Sequence, residues 1–292
     1  KFSFDYIQKK YDLGSQGEKM IGSFSYDRIS GQLSGFYGGF PFYLVNQKGE
    51  KKKVFQAIDL LTHPNYRKKG LFLWNADNTA EQANKLGIEM FFAFPNANSY
   101  HGFFNKIELN KIGRWQTYEM KISGLNIYSL CHKFGLFTPV YNFFWKYIVS
   151  KFRLNHEDWT ILSSLYRKRL TDEFSVDASV EYLKYKESYS EANWIKYKDI
   201  FIFLKKDDGI SIGDLLVVNP KVEIESNLHN LGKMLRVKNI RITASNSHPL
   251  TNLLSHYNNF IKKEGGEIGI KFLPNNNVPF NVAFTISDSD DF

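Results

Sequence analysis

The stretch Arg67-Lys68-Lys69-Gly70-Leu71-Phe72 constrains this chain more than any other feature. It lies between an apolar run over 54–61 and a helix-patterned run over 71–86, with Phe72, Ala76, Ala80, Ala83 and Leu86 at helical spacing. A strand that feeds a short basic, glycine-containing loop into a helix N-terminus makes an anion cradle. The first-turn N–H groups have no partner within the helix, and the helix dipole adds about half a positive charge. A diphosphate suits such a cradle.

The surrounding pattern predicts a mixed sheet flanked by helices. Residues 4–11 read as a short helix, and 19–27, 32–45 and 53–62 as three strands. Asn46-Gln47-Lys48-Gly49-Glu50 is a hairpin turn, and Pro64 ends the third strand. Gly87 is placed to cap the helix that follows the loop. Residues 88–94 form a dense apolar run of strand length, expected to be buried on both faces. Asn96 to Ser99 supply caps for a short helix near 99–106, and strand-like sequence resumes over 113–120.

A chain of 292 residues exceeds the usual size of one domain, so two are expected. The second half repeats the first in order. Phe4-Asp5-Tyr6-Ile7 has a counterpart in Val180-Glu181-Tyr182-Leu183, and Ile58-Asp59-Leu60-Leu61 in Gly213-Asp214-Leu215-Leu216. Residues 93–100 are echoed by Thr243-Ala244-Ser245-Asn246-Ser247-His248-Pro249. The repeat is unequal where it matters: after Leu216 the chain reads Val217-Val218-Asn219-Pro220-Lys221, with no Arg-x-x-Gly loop. Between the halves, Phe134, Phe137, Tyr141, Phe143, Phe144, Trp145 and Tyr147 crowd one stretch. It reads either as a membrane-touching amphipathic surface or as a packed connection interrupted by Pro139. Lys133, Lys146 and Lys151 are too few to define a basic face, which favours packing.

The net charge of +8 favours anionic partners, although abundant surface lysine is the plainer explanation. The lysines are scattered rather than striped and no RNA-binding motif is present, which argues against a nucleic-acid partner. The single cysteine, Cys131, excludes an intrachain disulfide and fits a reducing compartment. No signal peptide or long uncharged apolar segment is seen, so no membrane span and a cytoplasmic location are expected. No Cys/His cluster, HExxH or Ser-His-Asp spacing suggests a metal or a covalent nucleophile.

The order strand, hairpin, Arg-x-x-Gly loop, helix, buried strand and Asn-containing cap resembles the GNAT N-acyltransferase superfamily. His63-Pro64-Asn65-Tyr66-Arg67-Lys68-Lys69-Gly70-Leu71-Phe72 looks like its acyl-CoA motif. Phe94-Pro95-Asn96-Ala97-Asn98-Ser99-Tyr100, followed by Phe103-Phe104-Asn105-Lys106, resembles its second conserved block. The closing Phe284-Thr285-Ile286-Ser287-Asp288-Ser289-Asp290 looks like the tail of a tandem bacterial subgroup associated with amino-sugar and surface-glycan pathways. The resemblance implies an α/β fold of two tandem GNAT-like domains, the second degenerate. The acyl-CoA domain takes 1–124, lacking the family's first strand and helix ahead of residue 4; an aromatic connector takes 125–175, and the degenerate domain 176–292.

The resemblance further implies acetyl-CoA or another acyl-CoA as co-substrate, with no metal. Backbone amides from Lys68 to Phe72, with Lys69, Gly70 and Leu71 between them, would hold the pyrophosphate, and Arg67 would set the loop. Lys68 and Lys69 either approach the 3′-phosphate or face water. Leu60, Leu61 and Thr62 would run beside the pantetheine arm, with Asn96 or Asn98 on the opposite lip; helix capping is the alternative for both asparagines. Asp59 is the candidate base for a small amine, which a nucleotide-linked amino-sugar would supply, and a homodimer is compatible. Two departures stand out. The third small residue of the loop motif is Phe72, and the usual acid tyrosine falls at Phe104, leaving Tyr100 one turn earlier as the candidate acid. A catalytically silent module holding acyl-CoA or a glycan is the alternative that these departures favour.

Overall fold

The computed structural model describes residues 4–11, 19–124, 127–135, 137–274 and 279–288. In chain order the elements are α1 (Phe4–Tyr11), β1 (Ile21–Tyr26), β2 (Leu33–Val45), β3 (Lys51–Thr62), α2 (Leu71–Lys85), β4 (Met90–Ala93) and β5 (Asn110–Lys121). There follow α3 (Ile127–Phe134), α4 (Thr138–Ser150), α5 (His156–Arg169), β6 (Ser175–Val176), α6 (Val180–Tyr189), β7 (Ala192–Tyr197), β8 (Ile200–Asp207) and β9 (Gly209–Val217). The last are α7 (Ile224–Met234), β10 (Asn239–Ser245), α8 (Pro249–Ser255) and β11 (Phe260–Phe272).

The chain folds into two compact units built from discontinuous segments. Unit 1 is Lys1–Arg114, Leu170–Asp177 and Gly266–Val282; unit 2 is Trp115–Arg169, Ala178–Gly265 and Ala283–Phe292. These segments do not follow the sequence ranges 1–124, 125–175 and 176–292, because the strands β5 and β11 each give residues to both units.

Unit 1 is a mixed sheet. β2 pairs antiparallel with β1 and β3, β3 pairs parallel with β4, and β4 pairs antiparallel with the C-terminal end of β11. All four residues of β4 are buried, as expected of the dense apolar run, and so are Val54, Phe55 and Ala57 of β3, Phe55 stacking on Phe91 at 4.5 Å; Ile58 and Leu60 are partly buried and Leu61 is exposed. Gly39 is required: a Cβ there would lie 1.8 Å from the carbonyl oxygen of Gln56. α2 lays Ala76 and Ala83 on this sheet, and Thr79 donates a hydrogen bond to the Tyr37 carbonyl at 3.1 Å. Gly87, at φ 73°, follows the helix as the left-handed residue that ends it. The short helix expected near 99–106 is a π-type turn over Gly102–Lys106.

Unit 2 has β9 at the centre of its own mixed sheet, antiparallel to β8 and parallel to β10, with β7 beside β8 and β5 beside β10. One face of the aromatic stretch packs into this unit's core: Tyr141, Trp145 and Val149, four residues apart on α4, are buried, whereas Phe137, Phe143 and Tyr147 are exposed. Pro139 does not interrupt a helix but sits in the first turn of α4, where its missing N–H costs nothing. No helix among the described residues is long and apolar enough to cross a membrane.

Candidate functional site

The site begins where β3 leaves β4. Their parallel pairing spans only Val54–Gln56 against Met90–Phe92. Beyond Gln56, β3 runs on to Thr62, paired with β2 as far as Gly35↔Thr62, while β4 stops at Ala93. Leu60, Leu61 and Thr62 therefore lie past the end of that pairing. β3 is also irregular here. β2 pairs Gly38 with Asp59 and Gly39 with Ala57, leaving Ile58 as a bulge that raises the strand's twist. Unit 2 repeats the device: Phe203 pairs with Asp214 and Leu204 with Ile212, leaving Gly213 as the extra residue.

β3 then enters the loop. His63 accepts a hydrogen bond from the Asn65 amide at 3.3 Å and starts a single 3-10 turn over Pro64–Tyr66. Lys68 (φ 64°) and Gly70 (φ 77°) both take left-handed conformations, the backbone setting from which main-chain anion-binding concavities are generally built. Gly70 is the N-cap of α2, no side chain caps the helix, and its first turn holds no acid. No hydrogen-bond partner for the amides of Lys68 to Leu73 exists among the described residues. Arg67, Lys68, Lys69 and Gly70 are exposed, and the Lys69 ammonium lies 4.9 Å from the Tyr66 ring centroid. The cradle is therefore open, cationic and rich in unsatisfied donors.

Phe72, the bulky residue of the loop motif, turns away from the cradle. Its ring meets Tyr37 at 5.9 Å and Phe103 at 6.2 Å, both edge-on, and packs so closely on Gly102 that a Cβ there would come within 3.0 Å. Phe72 is thus a core residue, and its main-chain amide stays at the helix start.

Past the end of β4, Asn96 is committed to the backbone. Its Oδ1 accepts from the amides of Asn98 (3.0 Å) and Ser99 (3.1 Å), while the Ser99 hydroxyl accepts from the Asn96 amide (3.1 Å). This is the capping role that was the alternative for it. The exposed Asn98 side chain makes no such bond. Tyr100 donates to Glu267 at 2.7 Å and accepts from Lys111 at 2.5 Å, while its ring leans on Phe104 at 4.7 Å. Hydrogen bonds from Lys111 and Tyr100 hold the Glu267 carboxyl below its ordinary range. Asp59 sits one residue past the bulge, its side chain 37% exposed. One of its oxygens accepts from Lys10 at 3.1 Å and from the hydroxyl of Tyr11, both at the end of α1. Nothing local in the sequence marks Lys10, Tyr11, Lys111 and Glu267, since their partners lie 48 residues or more away except for the Tyr100 partner of Lys111. Among the described residues no group of three or more His, Cys, Asp or Glu side chains could hold a metal ion.

No protein-family model and no curated protein matches this sequence. Solved structures do. A conserved protein of unknown function from Enterococcus faecalis V583, titled a probable N-acyltransferase, superposes with a TM-score of 0.62 at 12% identity, covering 94% of this chain and 66% of that one. A GCN5-related N-acetyltransferase from Anabaena variabilis gives 0.56 at 11%, covering 94% and 67%. Another from Kribbella flavida gives 0.56 at 11%, covering 84% and 58%. The chain thus has the fold of the GCN5-related N-acetyltransferases, and it spans about two thirds or less of the length of these proteins.

Proposed function

We propose that this chain is an acyl-CoA-dependent N-acyltransferase, built as two tandem GNAT-like domains, whose donor site is in unit 1. The observation that carries this reading is the conjunction on one strand. β3 parts from β4 after Gln56, carries Leu60 to Thr62 beyond that pairing, and leads directly into an exposed, uncapped helix start with Lys68 and Gly70 left-handed. Amides from Lys68 to Phe72 would hold the diphosphate, and the free edge of β3 would pair with the amides of the pantetheine arm. Acyl-CoA supplies an acyl group activated as a thioester. An incoming amine forms the C–N bond and expels the thiolate, and must lose a proton in doing so. Asp59, past the bulge, is the base assigned here, and the Tyr100 hydroxyl the acid. The Leu60 amide is the donor for the developing oxyanion: its counterpart in unit 2, the Leu215 amide, donates to the Asp214 carboxylate at 2.7 Å. The acceptor is a small amine in the cytoplasm. Glucosamine is a first choice to try, since a fungal glucosamine N-acetyltransferase region shares the fold at a TM-score of 0.51.

Thermal shifts with acetyl-CoA, longer acyl-CoAs and free coenzyme A test the donor site; ligand at 100 times its Kd stabilises by about 2.7 kcal/mol. Gly70→Asp should abolish the shift, whereas Gly70→Asn, with the same backbone demand and no charge, should keep most of it. Equal shifts in wild type and Gly70→Asp would refute the assignment. A second reading, a silent acyl-CoA or glycan-binding module, is favoured by Phe104, which lacks a hydroxyl, and by the Lys10 and Tyr11 bonds on Asp59. Coenzyme A binding without thioester consumption across a panel of amino-sugars would decide for it.

A further inference from the structure

The same place in unit 2 is built for a different ligand. β9 and β10 pair in parallel only over Ile210–Ile212 and Ile240–Ile242, so β9 runs on past its partner as β3 does. Yet the helix that follows, α7, has Glu223 at its N-cap and Glu225 in its first turn. Two carboxylates there repel a diphosphate. What remains beside β9 is a cavity of 470 Å³, within the range of roughly 300–1,000 Å³ typical of small-molecule sites. Its lining is almost wholly aliphatic, with Leu165 from α5, Leu215 and Leu216 from the end of β9, Val218 from the loop after it, and Leu250 and Leu253 from α8. Val218 and Leu253 are 41% and 36% exposed, so part of this apolar surface faces the opening.

The polar lining consists of two cations. Arg169 is locked behind the wall in a two-pronged ion pair with Asp214, at 2.6 and 2.7 Å. Lys168, its neighbour, is exposed on the same lining and has no acidic partner among the described residues. An apolar pocket with one uncommitted ammonium at its wall fits a molecule with a long hydrocarbon body and one negative head. We propose that unit 2 carries a binding site for the anion of a straight-chain fatty acid, its chain in the aliphatic cavity beside β9 and its carboxylate on Lys168. The site is independent of the donor site assigned to unit 1.

Isothermal titration of the full chain with octanoate, decanoate and dodecanoate, below their micelle concentrations, tests this. Affinity should rise about three- to fourfold per added methylene until the cavity is full. Leu253→Asp should weaken decanoate more than tenfold, and Val218→Asp, in the loop after β9, should do the same should the first variant fail to fold. Lys168→Glu should weaken decanoate by up to about fivefold or somewhat more and leave 1-decanol unchanged. Gly70→Asp should leave decanoate binding intact. No binding, no chain-length dependence, indifference to both cavity variants, or loss in Gly70→Asp would each overturn the proposal; the last would place the anion in unit 1.

Discussion

Asp59 and Asp214 occupy the same position past equivalent bulges, yet their surroundings are opposite. Asp214 is 1% exposed, clasped by both nitrogens of Arg169 and by the Tyr166 hydroxyl at 2.5 Å, and it also accepts from its own neighbouring amide, Leu215. Burial pushes its carboxyl up, but the Arg169 guanidinium outweighs this and holds it below the ordinary range. Asp59 is 37% exposed and, among the described residues, meets Lys10 and Tyr11 through one oxygen. In both units a tyrosine and a cation from a preceding helix meet the aspartate. In unit 2 the arrangement closes into a saturated knot; in unit 1 one carboxylate oxygen has no partner among the described residues. The same bulge-and-aspartate element is thus engaged to different extents in the two units, according to its burial and to the cation it meets.

The sharpest way to break this contrast is to remove each carboxylate. Asp214→Ala leaves Arg169 as an uncompensated buried charge, and breaking such a pair costs about 3–5 kcal/mol. Asp59→Ala removes a 37% exposed carboxylate from a Lys10 that is itself only 8% exposed, so its cost falls between the roughly 1 kcal/mol of an exposed pair and the roughly 3–5 kcal/mol of a buried one. Urea denaturation should show the larger loss for the first and a smaller one for the second, whereas thioester consumption should fall only for Asp59→Ala among variants that remain folded. Equal stability losses would mean that Asp59 is a structural rivet as well.

What the sequence made legible follows from local chemistry. The helix over 4–11 and the helix starting at Leu71 stand where periodicity puts them, and the strands over 32–45 and 53–62 shift by two residues or fewer. The loop's exposure follows from its charge and its glycine. The Ile58-Asp59 and Gly213-Asp214 echo, legible only as a repeat, falls on the two bulges, which the pairing with β2 and β8 defines. Partners were not legible. Lys10 meets Asp59 across 49 residues and Tyr100 meets Glu267 across 167, separations that only the tertiary fold specifies. The inward turn of Phe72 was equally hidden, since it depends on the bare surface of Gly102.

A smaller effect extends the comparison along the pH axis. Unit 2 holds two further titratable groups near the knot, His248 buried and Asp288 partly buried. His248, whose Nδ1 accepts from the Leu250 amide at 3.2 Å, is pushed down to about 3 by burial and by Arg169. Asp288, which accepts from the Thr285 amide at 2.7 Å, is pushed up to about 7 by burial, with Asp214 adding to it and Lys186 and Arg169 opposing. The signs oppose. Neutral His248 contributes stability above its unfolded pKa near 6.5, lost as pH falls toward 3. Protonated Asp288 contributes stability below about 4, lost as pH rises toward 7. Between about pH 4 and 6.5 the two slopes cancel. Asp288→Asn should uncover the histidine alone, so that stability falls on acidification from pH 6.5 by up to about 1.4 kcal/mol per pH unit. Denaturant midpoints at pH 4.5, 5.5 and 6.5 would reveal it; a flat profile in that variant would mean that His248 does not titrate differently on folding.

The smallest expected effect concerns the two helix starts. α2 has Lys68 and Lys69 ahead of it and no acid in its first turn, whereas α7 begins with Glu223 and Glu225. A single exposed lysine changes the field at a helix N-terminus by only about 0.3–1 kcal/mol, so Lys69→Ala should raise the Kd for coenzyme A by about twofold to fivefold. Lys69→Glu should do more, since it gives α2 the charge of α7. Titration with dephospho-coenzyme A separates the two roles left open for these lysines. Should Lys68 or Lys69 meet the 3′-phosphate, the corresponding variant weakens coenzyme A and leaves the dephospho form unchanged. Should both only raise the potential over the cradle, the two ligands weaken together, and added salt erases the difference between wild type and variant.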